Sequence, residues 1–108
     1  WAKPRNPDGF DLGWVVKRHT SDTARLFGLT DRGVLALGMK ADLNLIDLDR
    51  LGLEKPVMVH DLPDGGKRLL QRTRGYVATI VSGKVVYRDG APTGQLPGRV
   101  ATRQRAAA

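Results

Sequence analysis

Residues 76–88 read YVATIVSGKVVYR, two apolar runs of strand-forming residues on either side of Ser82-Gly83. Serine followed by glycine suits a two-residue hairpin loop, because such loops need backbone conformations that glycine adopts freely. A loop of that length also sets the pairing. It places Val81 opposite Lys84, Ile80 opposite Val85, and Ala78 opposite Tyr87. Side chains alternate along a strand, so Ala78, Ile80, Val85 and Tyr87 are expected on one apolar face. Val77, Thr79 and Val81, with Val86, Lys84 and Arg88, form a mixed face. Asp89-Gly90-Ala91-Pro92 ends the hairpin. An antiparallel sheet is therefore the element around which the rest of the chain is read.

Upstream, Ala41–Leu48 also has a strand pattern, with Leu43 and Leu45 on one face and Asp42 and Asn44 on the other. Ile46 and Leu48 fall on the second face, so the far end of this strand is expected to be buried on both sides. Val34-Leu35-Ala36-Leu37, between Gly33 and Gly38, reads as a further short strand, and Val57–Val59 as a brief edge strand. Residues 49–67 otherwise read as loop, with Pro56, Pro63 and the turn Asp64-Gly65-Gly66.

The first 28 residues have a different period. Residues 1–10 read as a loop. From Asp11, the apolar positions Leu12, Val15 and Val16, with His19, follow helical spacing, and Asp11 is placed to cap the first turn. Trp14 falls off that stripe, where it can pack against the chain that precedes it. Thr20 or Ser21 is expected to cap a second, short helix, with Asp22 at the positive end of its dipole. Gly28 is placed to end it. The fold class that follows is α+β, with one or two short N-terminal helices, then a small antiparallel β-sheet, and no complete barrel.

The chain has 108 residues and no cysteine. A (β/α)8 barrel takes about 200 residues or more, so any barrel chemistry would have to come from residues outside this sequence. Disulfides and thiolate metal sites are excluded. No run approaches the ~20 apolar residues of a membrane span, and the N-terminus lacks the apolar core of a secretory signal. A cytoplasmic protein without a membrane partner is the expectation. Trp1, in place of methionine, suggests that the chain begins within a longer product.

The formal charge is +7, from 18 Lys and Arg against 11 Asp and Glu. Much of that excess alternates with carboxylates. The one cluster is Lys67, Arg68, Arg72 and Arg74, with Arg99, Arg103 and Arg105 towards the end. A solvated face and a disordered tail account for it, and nucleic acid is not the expected partner.

No catalytic, cofactor-binding or metal-binding residue is assigned. His19 and His60 have neither H-x-H nor H-E-x-x-H spacing. His19 reads as a partly buried helix residue, and His60 as a loop residue with a local hydrogen-bonding role. Ser21 and Ser82 belong to a helix cap and a hairpin turn. Asp64-Gly65-Gly66-Lys67 lacks the spacing of a phosphate loop. Asp42, Asp47, Asp49 and Asp61 lie on or beside strands, where pairing with backbone or arginine is their expected use.

Thr20-Ser21-Asp22-Thr23-Ala24-Arg25-Leu26-Phe27-Gly28-Leu29, then Gly33-Val34-Leu35 and Gly38-Met39-Lys40-Ala41-Asp42-Leu43, resembles the C-terminal pattern of the amidohydrolase superfamily. The hairpin with Asp89-Gly90 is similar to the closing hairpin of the same enzymes. His60-Asp61-Leu62-Pro63, Gly65-Gly66, Gly75-Tyr76, Pro92-Thr93-Gly94 and Leu96-Pro97-Gly98-Arg99 resemble the N-acyl-D-amino-acid deacylase branch. Thr23 and Leu37 stand where that family commonly carries proline.

The resemblance implies that 1–28 is the end of a barrel region, 29–99 a C-terminal portion of a composite β-sandwich, and 100–108 a tail. It implies a metal-dependent parent hydrolysing amide bonds, with zinc in the parent's barrel and the catalytic residues upstream of this chain. Asp42 would fix the turn after Gly38. The missing N-terminal barrel segment is the implied partner. Self-association through an exposed sheet edge is expected of the chain alone. Two other readings stay open: a free-standing basic nucleic-acid-binding module, and a protein-interaction module.

Overall fold

The computed structural model describes residues 6–101, so most of the expected tail, with Arg103 and Arg105, lies outside the described residues. The architecture is α+β: two short helices, then short antiparallel strands, with no barrel among the described residues. No helix among them is long and apolar enough to cross a membrane. Two compact units are distinguished, one running to Ala41 and taking in the chain from Arg99 onward, the other Asp42–Gly98.

The first unit is built on α1 (Leu12–His19) and α2 (Ser21–Leu26). Asp11 caps α1, its carboxylate accepting from the Trp14 N–H at 2.9 Å. Thr20 does not cap α2 with its side chain. Its hydroxyl instead donates to the Val16 carbonyl at 2.7 Å, because the two helices follow one another so closely that Thr20 closes the first before it can open the second. Asp22 does take up charge at the start of α2, meeting Lys17 at 2.6 Å and Arg18 at 3.3 Å.

Gly28, with φ of 70°, ends α2 as expected. The Leu29 N–H reaches the Ala24 carbonyl and the Gly28 N–H reaches that of Arg25, the paired bonds of a Schellman cap. Val15 and Ala24 are buried between these elements. Trp14 stacks on Phe10, ring centres 4.7 Å apart, with the Arg18 guanidinium 5.1 Å from the Trp14 ring centre.

Val34–Leu37 is not a strand. Gly33 and Gly38 both take positive φ and curl the run into a loop, and the Lys40 N–H clasps its base by donating to the Asp31 carbonyl at 2.7 Å. The apolar residues that suggested a strand are left outside, with Leu35 83% and Leu37 fully exposed.

In the second unit, β1 (Leu43–Ile46), β6 (Tyr76–Val81), β7 (Lys84–Arg88) and β8 (Ala91–Pro92) form one antiparallel sheet in the order β1-β6-β7-β8. The expected hairpin is present, and Val81 faces Lys84 and Ile80 faces Val85. Beyond these, a bulge between Thr79 and Ile80 shifts the register, so Tyr87 pairs with Thr79 and Ala78 with Arg88. Tyr87 therefore leaves the face it was assigned, because Val86 is an extra residue that no partner matches. Asp89-Gly90 does not end the ladder but turns the chain back into β8.

β1 is shorter than the pattern suggested. Its far end is open, with Leu45 58%, Ile46 36% and Leu48 41% exposed where burial on both sides was expected. Two small pairs complete the unit. β2 (Gly52–Leu53) pairs with β5 (Thr73–Arg74), and β3 (Val57–Val59) pairs with β4 (Arg68–Leu70) around a 3-10 turn at Pro63–Gly65. Ala78 is the buried apolar residue of this unit.

Candidate functional site

Metal-dependent hydrolysis needs several His, Asp or Glu side chains converging on one point. Among the described residues no three of these are grouped so as to hold a metal ion. His19 ends α1 and is exposed rather than partly buried, since the helix turns only Val15 fully inward. His60 is exposed in the loop after β3.

The carboxylates near the strands have structural partners. Asp42 accepts from the Ser82 N–H at 2.8 Å. It thus pins the β6–β7 turn. The chain folds β1 beside β6, which brings Asp42 level with the hairpin loop. Asp47 accepts from the Asp49 and Arg50 N–H groups at 3.1 and 3.2 Å, closing the turn after β1. Asp61 is held by Arg68 in a two-pronged contact of 2.8 and 2.6 Å.

Replacing Asp42 with alanine leaves Ser82 without its cap, at a cost of about 1 kcal/mol. A lowered urea midpoint is expected for Asp42→Ala, with partial recovery in Asp42→Asn. Equal midpoints for all three would contradict the role.

The Asp61–Arg68 contact joins the two arms of the β3–β4 pair. The Arg68 hydrogen bonds, more than its charge, hold the Asp61 carboxyl below its ordinary value of 3.8. A lowered acid contributes stability above its unfolded value and loses it as pH falls through the folded one. The pair therefore supports this hairpin at neutral pH and lets go below about pH 4. In an NMR titration the Asp61 carboxyl should titrate below 3.8 and return towards it in Arg68→Ala. A midpoint that ignores the substitution would contradict the pairing.

Arg68 is engaged by Asp61, and the Arg74 guanidinium lies over Gly52. Asp64-Gly65-Gly66 closes on itself, the Gly66 N–H donating to the Pro63 carbonyl at 3.1 Å, so that N–H serves the turn and not a phosphate. Ser82 sits at φ of 49° in the hairpin turn and Ser21 in the first turn of α2.

The second unit carries an open groove of about 620 Å³. Glu54, Asp61 and Asp89 line it together with Arg68, Arg72 and the rings of Tyr76 and Tyr87. The sequence reading passed over this grouping, whose only local signal is the spacing of Asp61 and Arg68 around the Pro63 turn. Its mixed charges offer hydrogen bonds of both kinds, without a nucleophile paired to a base.

Residues 4–87 match the sequence model of the Amidohydrolase family. Among curated proteins, a dihydroorotase from Methanothermobacter thermautotrophicus is 41% identical over 83 residues, covering 73% of this chain and 19% of its own length. The chain thus spans about a fifth of the curated relative it matches. No solved structure matches the chain.

Proposed function

Because the chain belongs to the amidohydrolase family, we propose that it is the closing segment of a metal-dependent hydrolase of non-peptide carbon–nitrogen bonds. The observation that carries this reading is how little the chain buries on its own. Among the described residues the buried apolar ones are Val15, Ala24 and Ala78, while Leu26, Phe27, Leu35, Leu37, Leu53 and Leu69 are all more than half exposed. Apolar surface on that scale, present in each unit, marks surface meant for other protein.

In this reading the helical unit completes a barrel and the sheet unit completes a β-sandwich, both begun by the upstream part of a cytoplasmic parent. The metal, zinc by family habit, sits in that upstream part. The residues described here do not fit it, since no ligand cluster forms among them. In this reading the steps of the reaction fall to that upstream part.

The substrate class proposed is N-acyl-D-amino acids, supported by the runs around His60-Asp61-Leu62-Pro63 and Pro92-Thr93-Gly94. The curated relative is by name a dihydroorotase, so dihydroorotate belongs beside N-acetyl-D-amino acids in an assay of the intact parent. Turnover of the former alone would overturn the substrate class and leave the segment reading standing.

The partner proposed is the upstream barrel segment. β1 and β8 lie at the edges of the sheet, and an open edge invites pairing with a second copy when the partner is missing. Sedimentation of the chain alone should show self-association, and addition of the upstream segment should replace it with a one-to-one complex. A chain that stays monomeric at high concentration and ignores the upstream segment would overturn both.

A further inference from the structure

The groove in the sheet unit holds a positive and a negative side chain rooted next to one another. The Glu54 N–H donates to the Arg72 carbonyl at 2.9 Å, one step beyond the β2–β5 pairing of Gly52 with Arg74 and Leu53 with Thr73. Glu54 and Arg72 therefore stand opposite one another, and opposed residues send their side chains to the same face. The Gln71 side-chain amide fixes this crossing by donating to the Glu54 carbonyl at 2.9 Å. Among the described residues neither charged side chain takes part in an ion pair. Asp89 brings a second carboxylate, held in place after β7 by its N–H bond to the Val77 carbonyl at 3.0 Å. Glu54, Tyr76 and Asp89 border a neighbouring cleft as well, which groups both carboxylates with one ring at the boundary between the two. The bulge between Thr79 and Ile80 supplies the other ring. It pairs Tyr87 with Thr79, and both line the groove; an unbroken register would set Tyr87 opposite the buried Ala78. Bulges re-aim side chains in this way.

We propose that this groove binds a zwitterionic α-amino acid, with its carboxylate on Arg72, its ammonium on Glu54 and Asp89, and its side chain against Tyr76 and Tyr87. An α-amino acid carries its two charges on adjoining carbons, and Arg72 and Glu54 offer the opposite charges from adjoining strands. The arginine fork matches a carboxylate with two parallel hydrogen bonds. Tyrosine rings give an apolar side chain a flat surface and attract an ammonium to their faces. The Asp61–Arg68 pair on the same wall is closed on itself and adds no net charge. A ligand with one charge alone meets repulsion: a bare amine faces Arg72, and a bare carboxylate faces Glu54 and Asp89. The volume, about 620 Å³, lies within the roughly 300–1,000 Å³ of pockets for small molecules. The site lies wholly in the sheet unit and does not depend on the chain's reading as a closing segment.

The test is titration of the 108-residue chain with L-phenylalanine at neutral pH and constant ionic strength, followed by amide NMR shifts. Saturable one-site binding is expected, with shifts concentrated at Glu54, 71–76 and 87–90. Phenethylamine, which lacks the carboxylate, and N-acetyl-L-phenylalanine, which lacks the ammonium, should each bind about tenfold more weakly, the loss of one charge-assisted contact. Arg72→Gln and Glu54→Gln should each weaken phenylalanine binding by a similar factor. Lys84→Ala, in the β6–β7 turn, should leave it unchanged, and native dispersion of the amide shifts would show that the variants still fold. No saturation, equal binding of the three ligands, shifts centred outside the groove, or indifference to Arg72→Gln and Glu54→Gln would each overturn the site.

Discussion

Alanine in place of Gly75 is expected to unfold the sheet unit. Gly75 joins β5 to β6 and takes φ of 90°, in the left-handed region that side chains disfavour. A Cβ there would lie 2.6 Å from the Leu51 Cα and 2.8 Å from the Asp47 carbonyl oxygen. Both are backbone atoms, held by the turn that Asp47 caps, and the Asp47 N–H itself donates to the Gly75 carbonyl at 2.8 Å. No side chain can swing aside to make room. Backbone strain costs about 1–3 kcal/mol and forced overpacking a similar ~1–3 kcal/mol. The sum is a large fraction of the ~5–15 kcal/mol that holds a typical domain together. Loss of dispersed amide shifts across Asp42–Gly98 is the expected result. A Gly75→Ala chain with native shifts and an unchanged urea midpoint would contradict the close approach of Gly75 to the backbone of Asp47 and Leu51.

Aspartate in place of Val15 should do comparable damage to the helical unit. Val15 is 7% exposed and is the one residue that α1 buries. The substitution removes about 1.5–3 kcal/mol of apolar burial and sets a carboxylate where it has little water. Asp11 lies one turn before it and would repel the new charge. A loss of about 3 kcal/mol or more follows, seen as a fall in helical circular dichroism at neutral pH. Partial recovery is expected at low pH, as the buried acid takes a proton. A helical signal equal to the native one at neutral pH would show that α1 does not depend on that contact.

The parts of the fold that were legible in the sequence are those written locally. Asp11 caps a helix three residues on, Gly28 ends another, and Ser82-Gly83 fits a two-residue hairpin loop. Each signal and its effect lie within a few residues of one another. The bulge at Thr79 and Ile80 was not legible because no glycine or proline marks it; it arises from how Val86 fits against the partner strand.

Val34–Leu37 misled for the opposite reason. Its composition suits a strand, but two glycines with positive φ and the Lys40–Asp31 clasp decide the backbone first. Asp42 shows the limit most plainly. Its partner Ser82 is 40 positions away, and only the pairing of β1 with β6 brings them together.

Metal content and amidase activity, measured for this chain alone and mixed with the upstream segment of its parent, test the central claim most directly. The expected result is no bound metal and no hydrolysis by the chain alone, with metal retention and turnover of an N-acetyl-D-amino acid or dihydroorotate appearing on mixing. Bound zinc and turnover by the isolated 108 residues would contradict it, because the chain would then hold a catalytic site of its own.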